Sequence, residues 1–140
     1  MSLKHQIILS YTKDLSVETP DAESLIFARE NISKYSLNLD LNSKFLKNKM
    51  IEVETKLTYE DKTKNKKKTY FEMIYATVVK IEEENPKKED VKKFILCDLQ
   101  IKTYPKIEKI FIEVLKLSGF PDIQLNSRID FNKLYNERKD

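Results

Sequence analysis

The chain is predicted to be an α+β protein: a four-stranded antiparallel sheet with helices on one face. Three observations carry that prediction. Between Gln6 and Glu84 there are four runs with strand character, most of them alternating apolar and polar residues. Turn-forming residues separate them, at Thr19-Pro20, Asn42-Ser43, Asn48 and the lysine-rich stretch Asp61–Thr69. The last third then changes period, with apolar residues crowded at helical spacings between Pro105 and Gly119. Strands in succession followed by helices is the order of an α+β domain, here with an antiparallel meander.

The first strand, Gln6 to about Glu18, alternates from Ile7 through Leu9, Tyr11, Leu15 and Val17 on one face. Ser10, Thr12, Asp14, Ser16 and Glu18 lie on the other. Asp21–Tyr35 has no clean period and reads as a long connection with apolar anchors. The second strand, KYSLNLDLNSKF, sets Tyr35, Leu37, Leu39 and Leu41 against Ser36, Asn38 and Asp40. The third, MIEVETKLTYE, sets Ile51, Val53, Leu57 and Tyr59 against Glu52, Glu54 and Lys56. Asp61–Thr69 is a solvated hairpin tip. The fourth strand, YFEMIYATVVKIEEE, is apolar on both faces, as in a strand covered on both sides. Pro86 and the charges around it end this strand.

EDVKKFILCDLQIKTY fits either a short helix or a loop with helical turns. PKIEKIFIEVLKLSGFP is the clearest helix: Pro105 suits a first turn, Gly119 an end and Pro121 a stop. Its apolar arc is wider than one sheet-facing stripe requires. Ile107, Ile110, Phe111, Val114 and Leu117 are therefore expected to serve both the sheet and an oligomer interface. At the end of the chain Asp130 suits an N-cap, with Phe131, Leu134 and Tyr135 forming an apolar helix edge.

Composition narrows the possible functions. The chain has 140 residues, 40% of them hydrophobic and 35% charged, which fits one domain spanning residues 1–140 with a densely charged surface. A lone cysteine, Cys97, and a lone histidine, His5, supply neither an internal disulfide nor a Cys/His zinc cluster. Cys97 reads as a small buried hydrophobe, and His5 lies near an N-terminus expected to fray. The lone glycine, Gly119, leaves no glycine-rich phosphate loop, and no pair of carboxylates stands out by spacing. Carboxylate-only catalysis stays open at this point, because the chain has 23 Asp and Glu residues, while no motif calls for a metal or a cofactor. No apolar run approaches the roughly 20 residues that span a bilayer. MSLKHQ has no apolar signal region, so a cytosolic location is expected.

Two charged features remain. Lys62, Lys64, Lys66, Lys67 and Lys68 could meet nucleic-acid phosphates or could protect a hairpin tip against edge pairing. Without these five lysines the formal charge of +3 becomes mildly negative. The polar sides of the strands gather Asp14, Glu18, Asp40, Glu52, Glu54 and Glu72. That is either an ordinary wet sheet face or a docking surface for a basic partner.

Two motifs carry a family resemblance. YTKDLSVETPDA resembles the N-terminal strand motif Y-x-K-D-x-S-x-E-x-P-x-A of the SecB export chaperones, with Tyr11, Lys13, Asp14, Ser16, Glu18, Pro20 and Ala22 matching. GFPDIQLNSRIDFNKLY is similar to their closing motif at Phe120, Pro121, Leu125, Ile129, Asp130, Phe131, Leu134 and Tyr135. The resemblance implies a non-enzymatic holdase, a homotetrameric dimer of dimers that holds non-native polypeptides and passes them to the ATPase SecA. By the resemblance, Asp14 and Glu18 dock SecA, joined by Tyr70 and Glu72 on the fourth strand. It also implies a client groove lined by Leu25, Phe27, Ile32, Tyr35, Phe131, Leu134 and Tyr135. The connection ARENISKY lacks the family's usual Trp-x-Pro, and the net charge is positive. Two other functions therefore stay open: a SecB-like chaperone dedicated to a toxin–antitoxin pair, and a small nucleic-acid-binding module using the lysine hairpin.

Overall fold

A computed structural model describes residues 3–61, 69–125 and 129–138. The lysine run Lys62–Lys68 lies outside the described residues. Four antiparallel strands form one sheet: β1 (His5–Glu18), β2 (Tyr35–Phe45), β3 (Met50–Asp61) and β4 (Tyr70–Ile81). Their order across the sheet is β1-β4-β3-β2. The expected simple meander is thus corrected. β2, β3 and β4 do follow one another, but β1 pairs with β4, and the connection after Glu18 carries the chain to the far edge.

That connection is itself largely helical, where the sequence suggested none. α1 spans Ala22–Glu30, and a 3₁₀ turn covers Ile32–Lys34. Asp21 starts the helix, its carboxylate accepting the Ser24 N–H and the Ser24 hydroxyl, each at 2.7 Å. Asn31 closes it, its side-chain amide donating to Phe27 O at 2.9 Å. A capped start stabilises a nine-residue helix whose apolar pattern is weak.

The ambiguous segment before Tyr104 is helical as well. α2 (Lys88–Lys93) runs through a π turn at Phe94–Asp98 into α3 (Leu99–Leu117). Pro105 therefore lies inside α3, not in its first turn. α4 (Phe131–Arg138) closes the chain, with the Lys133 N–H donating to Asp130 Oδ1 at 3.1 Å, as expected of an N-cap. Gly119 ends α3 at φ +121°, in the left-handed region.

The helices cover one face of the sheet. Ile107, Phe111 and Leu115, spaced four apart, point one stripe of α3 into Leu57, Tyr59, Phe71 and Met73. Around the other end of the sheet, Phe94, Ile95 and Leu99 pack on Ile51, Val53, Val79 and Ile81. His5, the first residue of β1, packs against this cluster through Phe94: the two rings lie 4.5 Å apart, and Nδ1 is 2.8 Å from Leu3 O. Cys97 is buried, as predicted, and donates from Sγ to Asn132 Oδ1 at 3.1 Å, tying the π turn to α4.

The broad apolar arc of α3 divides in three. Ile107 and Phe111 are wholly buried within the chain, so these two belong to its own core and not to a face open to a second subunit. Ile110 and Val114 are half-buried. Leu117, at 85% exposed, and Ile101, at 52%, are turned outwards.

Candidate functional site

The sheet's helix side holds an open cleft of about 670 Å³ at the start of β2. Its walls are Ile32, Tyr35 and Leu37 on one side and Phe120, Ile123 and Leu125 on the other, with Tyr59 also lining it and Arg29 at the rim. Three features shape it. The 3₁₀ turn delivers Ile32 and Tyr35 to the sheet edge. Tyr35 stacks at a tilt against Tyr59, ring centroids 5.3 Å apart, and lies 6.3 Å from Phe120. The turn at Gly119 folds Phe120 back, its N–H donating to Leu115 O at 3.0 Å, so that its ring meets Phe71 edge-on. The cleft has apolar walls with Ser33, Ser36, Asp122 and Gln124 among them, and it lies beside an edge strand whose outer side has no partner strand among the described residues. Such a surface suits an extended apolar peptide segment.

Of the residues expected to line a client groove, Ile32 and Tyr35 stand in this cleft. Leu25 packs instead under Gly119, and Phe27 is half-buried on α1. Phe131 is buried edge-on against Tyr104, while Leu134 and Tyr135 pack against the same core. Phe120, Pro121, Ile123 and Leu125 also line the cleft, beyond the residues that the family resemblance implies. The closing motif GFPDIQL contains all four of them.

The opposite, open face carries the charges. Glu18 pairs directly across from Tyr70, Ser16 from Glu72, and Asp14 from Ile74. The four residues expected to dock a partner thus occupy neighbouring positions on β1 and β4, facing away from the helices. Tyr70 donates to Glu72 Oε1 at 3.0 Å, and Lys56 reaches the same oxygen at 3.0 Å. These contacts, the Lys56 ammonium foremost, hold the Glu72 carboxyl below the ordinary range. Partial burial, with the Glu72 carboxylate beside it, pushes the Tyr70 phenol up to about 12. Asp14 and Glu18 are exposed and have no ion-pair partner among the described residues.

The strand alternation holds at both ends of β1 but not in its middle. Leu9 and Tyr11, expected beside Leu15 and Val17, stand on the charged face opposite Val78 and Ala76. Among the described residues no group of three or more His, Cys, Asp or Glu side chains is placed to hold a metal ion, and no helix is long and apolar enough to cross a membrane.

A cleft with apolar walls on the helix side of the sheet and a charged, open opposite face are thus the two surfaces that this α+β domain offers. Residues 2–140 match the family model described as preprotein translocase subunit SecB. A SecB-named protein of Pelagibacter ubique (strain HTCC1062) is 45% identical over 138 residues, covering 99% of each chain. The protein-export protein SecB of Rickettsia bellii (strain OSU 85-389) is 31% identical over 130 residues, covering 91% of this chain and 83% of its own. Among solved structures, the SecB-like chaperone Rv1957 of Mycobacterium tuberculosis, in complex with a ChAD peptide from the HigA1 antitoxin, has the same fold. Its TM-score is 0.65 at 12% identity, over 89% of this chain and 90% of that one. The chain belongs to the SecB family.

Proposed function

We propose that this protein is a cytosolic holdase for export, one that binds apolar stretches of non-native polypeptides and delivers them to the SecA ATPase. The observation that carries this reading is the open cleft between Tyr35 and Phe120, lined by apolar side chains in a chain of this family. Binding there would follow mass action on exposed apolar segments, without chemistry on the client. SecA would dock on the open face at Asp14, Glu18, Tyr70 and Glu72, by charge complementarity with a basic segment. Relatives named for export, at 45% and 31% identity, favour this role over one dedicated to an antitoxin.

Assembly as a dimer of dimers belongs to the same proposal. β1 is an edge strand with exposed Leu9, Tyr11, Leu15 and Val17 along an unpaired backbone, which another copy would cover. Ile101 and Leu117 supply apolar surface on the outer side of α3.

Two measurements test the reading. The protein should suppress aggregation of an unfolded preprotein, and Tyr35→Asp should abolish that suppression. Asp14→Ala with Glu18→Ala should weaken SecA binding without lowering the melting temperature. Unchanged SecA affinity in the double variant would refute the docking assignment, and absence of client holding would refute the function.

A further inference from the structure

β1 contains two residues more than its partner β4 accommodates. Ile8 is extra between the pairs Ile7–Val79 and Leu9–Val78, and Lys13 between Thr12–Tyr75 and Asp14–Ile74. Each bulge reverses the face on which the following side chains stand. Past the first, Leu9 and Tyr11 stand on the open face. Had the strand continued from Tyr11 in strict alternation, Leu15 and Val17 would share that face. Asp14 and Glu18 would then turn towards the helices. The extra residue at Lys13 restores the phase, so this bulge decides where the two carboxylates stand.

Lys13 is also tied to two carboxylates on that face. Its Nζ lies 2.9 Å from Glu52 Oε2 and 2.6 Å from Glu54 Oε2. The Tyr11 hydroxyl donates to the other oxygen of Glu52. Both glutamates are on β3, beyond β4, so these contacts cross a whole strand. The residue crossed is Ala76, which pairs with Tyr11 on one side and Glu54 on the other. Its methyl leaves room for the longer side chains to pass over. Ala76 and Val78 are buried although they lie on the open face, and Glu52 is only 9% exposed. Tyr11, Lys13, Glu52 and Glu54 thus form a strap from the sheet edge to its centre.

We propose that Lys13 is a positioning residue for partner docking: its ion pairs with Glu52 and Glu54 pin the bulge that presents Asp14 and Glu18 on the open face. The proposal deepens the docking assignment above and rests on it. Charge alone makes the opposite prediction, because removing a cation from an acidic face should strengthen the attraction of a basic partner. The sign of the effect therefore separates position from charge.

The test uses the purified 140-residue protein in its native assembly state with purified SecA as the probe and amide hydrogen exchange as the second readout. Lys13→Met should weaken SecA binding by roughly tenfold, the scale of one misplaced charge pair. Amide exchange from Thr12 to Glu18 should accelerate, and client holding should stay at the wild-type level. Lys13→Arg should restore both affinity and protection. Glu54→Gln, which keeps the Glu52 contact, should accelerate exchange of Thr12–Glu18 to a smaller extent; it stands in if Lys13→Met does not fold, with exchange as its deciding readout, because losing an anion would weaken binding of a basic partner by charge alone. Unchanged or tighter SecA binding in Lys13→Met would overturn the proposal, and so would wild-type protection of Thr12–Glu18. If the wild-type protein fails to bind SecA, the docking assignment falls and the exchange comparison alone judges whether Lys13 pins the bulge.

Discussion

The phenol oxygen of Tyr35 accepts the backbone N–H of Thr69 at 3.2 Å and lies 2.9 Å from the Thr69 hydroxyl. Tyr35 opens β2 at one edge of the sheet, and Thr69 immediately precedes β4, two strands away. One side chain thus lines the cleft and ties the start of β2 to the residue just before β4.

Tyr35→Phe should keep the ring contacts to Tyr59 and Phe120 but leave the buried Thr69 N–H without its acceptor. The cost should be about 1–2 kcal/mol, the penalty for an unsatisfied buried donor. Urea denaturation checks it. A stability equal to wild type would mean that water or another group replaces the phenol.

Gly119→Ala should be destabilising by about 1–3 kcal/mol, because it places a side chain at positive φ. The added Cβ would also stand 2.8 Å from Leu25 Cδ1. Since Phe120 follows directly and lines the cleft, the same substitution should lower client affinity. Thermal melts and aggregation-suppression assays check the two effects. An unchanged melting temperature would show that the turn relaxes into another conformation.

The two sides of α3 should respond differently to substitution. Phe111→Ala should cost about 3–5 kcal/mol, as expected for a large side chain removed from a packed core. Ile101→Lys with Leu117→Lys should leave the monomer's stability within about 0.5 kcal/mol, because both residues are exposed. Light scattering should give the wild type a mass several times 16.6 kDa and the double lysine variant a smaller one. A wild-type protein that scatters as a monomer would remove the assembly proposal.

The open-face ion pairs should make stability fall in acid. The Tyr11 hydroxyl, chiefly, and the Lys13 ammonium hold Glu52 below its ordinary 4.5, and Lys56 does the same for Glu72. A carboxyl with a depressed native pKa contributes stability that is complete above its unfolded value. That contribution is lost as pH falls through the native value. Stability measured downwards from pH 6 should therefore drop below about pH 4.5, and Glu52→Gln with Glu72→Gln should flatten that limb. Parallel curves for the two proteins would refute the assignment.

Much of this was legible in the sequence because it is local. Alternation located four strands, and Gly119 and Asp130 marked a helix end and a helix start through backbone requirements that few residues satisfy. The phase of Asp14 and Glu18 was also correct, as two bulges restore the alternation that a single one would have inverted. The motif around Phe120-Pro121 lay in view, although its part in the cleft wall did not. α1 is not legible in the sequence, because its apolar residues keep no clean helical period and only its caps, Asp21 and Asn31, mark its ends.

The sequence by itself determined which segments would be strands, where the long helix ended, that the chain held one cysteine, one histidine and one glycine, and which family its motifs matched. Only the tertiary structure decided that β1 pairs with β4, that Ile107 and Phe111 belong to the chain's own core, and that Leu9 and Tyr11 share a face with the carboxylates. The physical reason is that periodicity records how each residue meets core or solvent along one segment. Strand partners, bulges and the division of an apolar helix between two surfaces depend on side chains far apart in the chain. The crossing of Lys13 over Ala76 to Glu52 and Glu54 is such a contact, and no local pattern announces it.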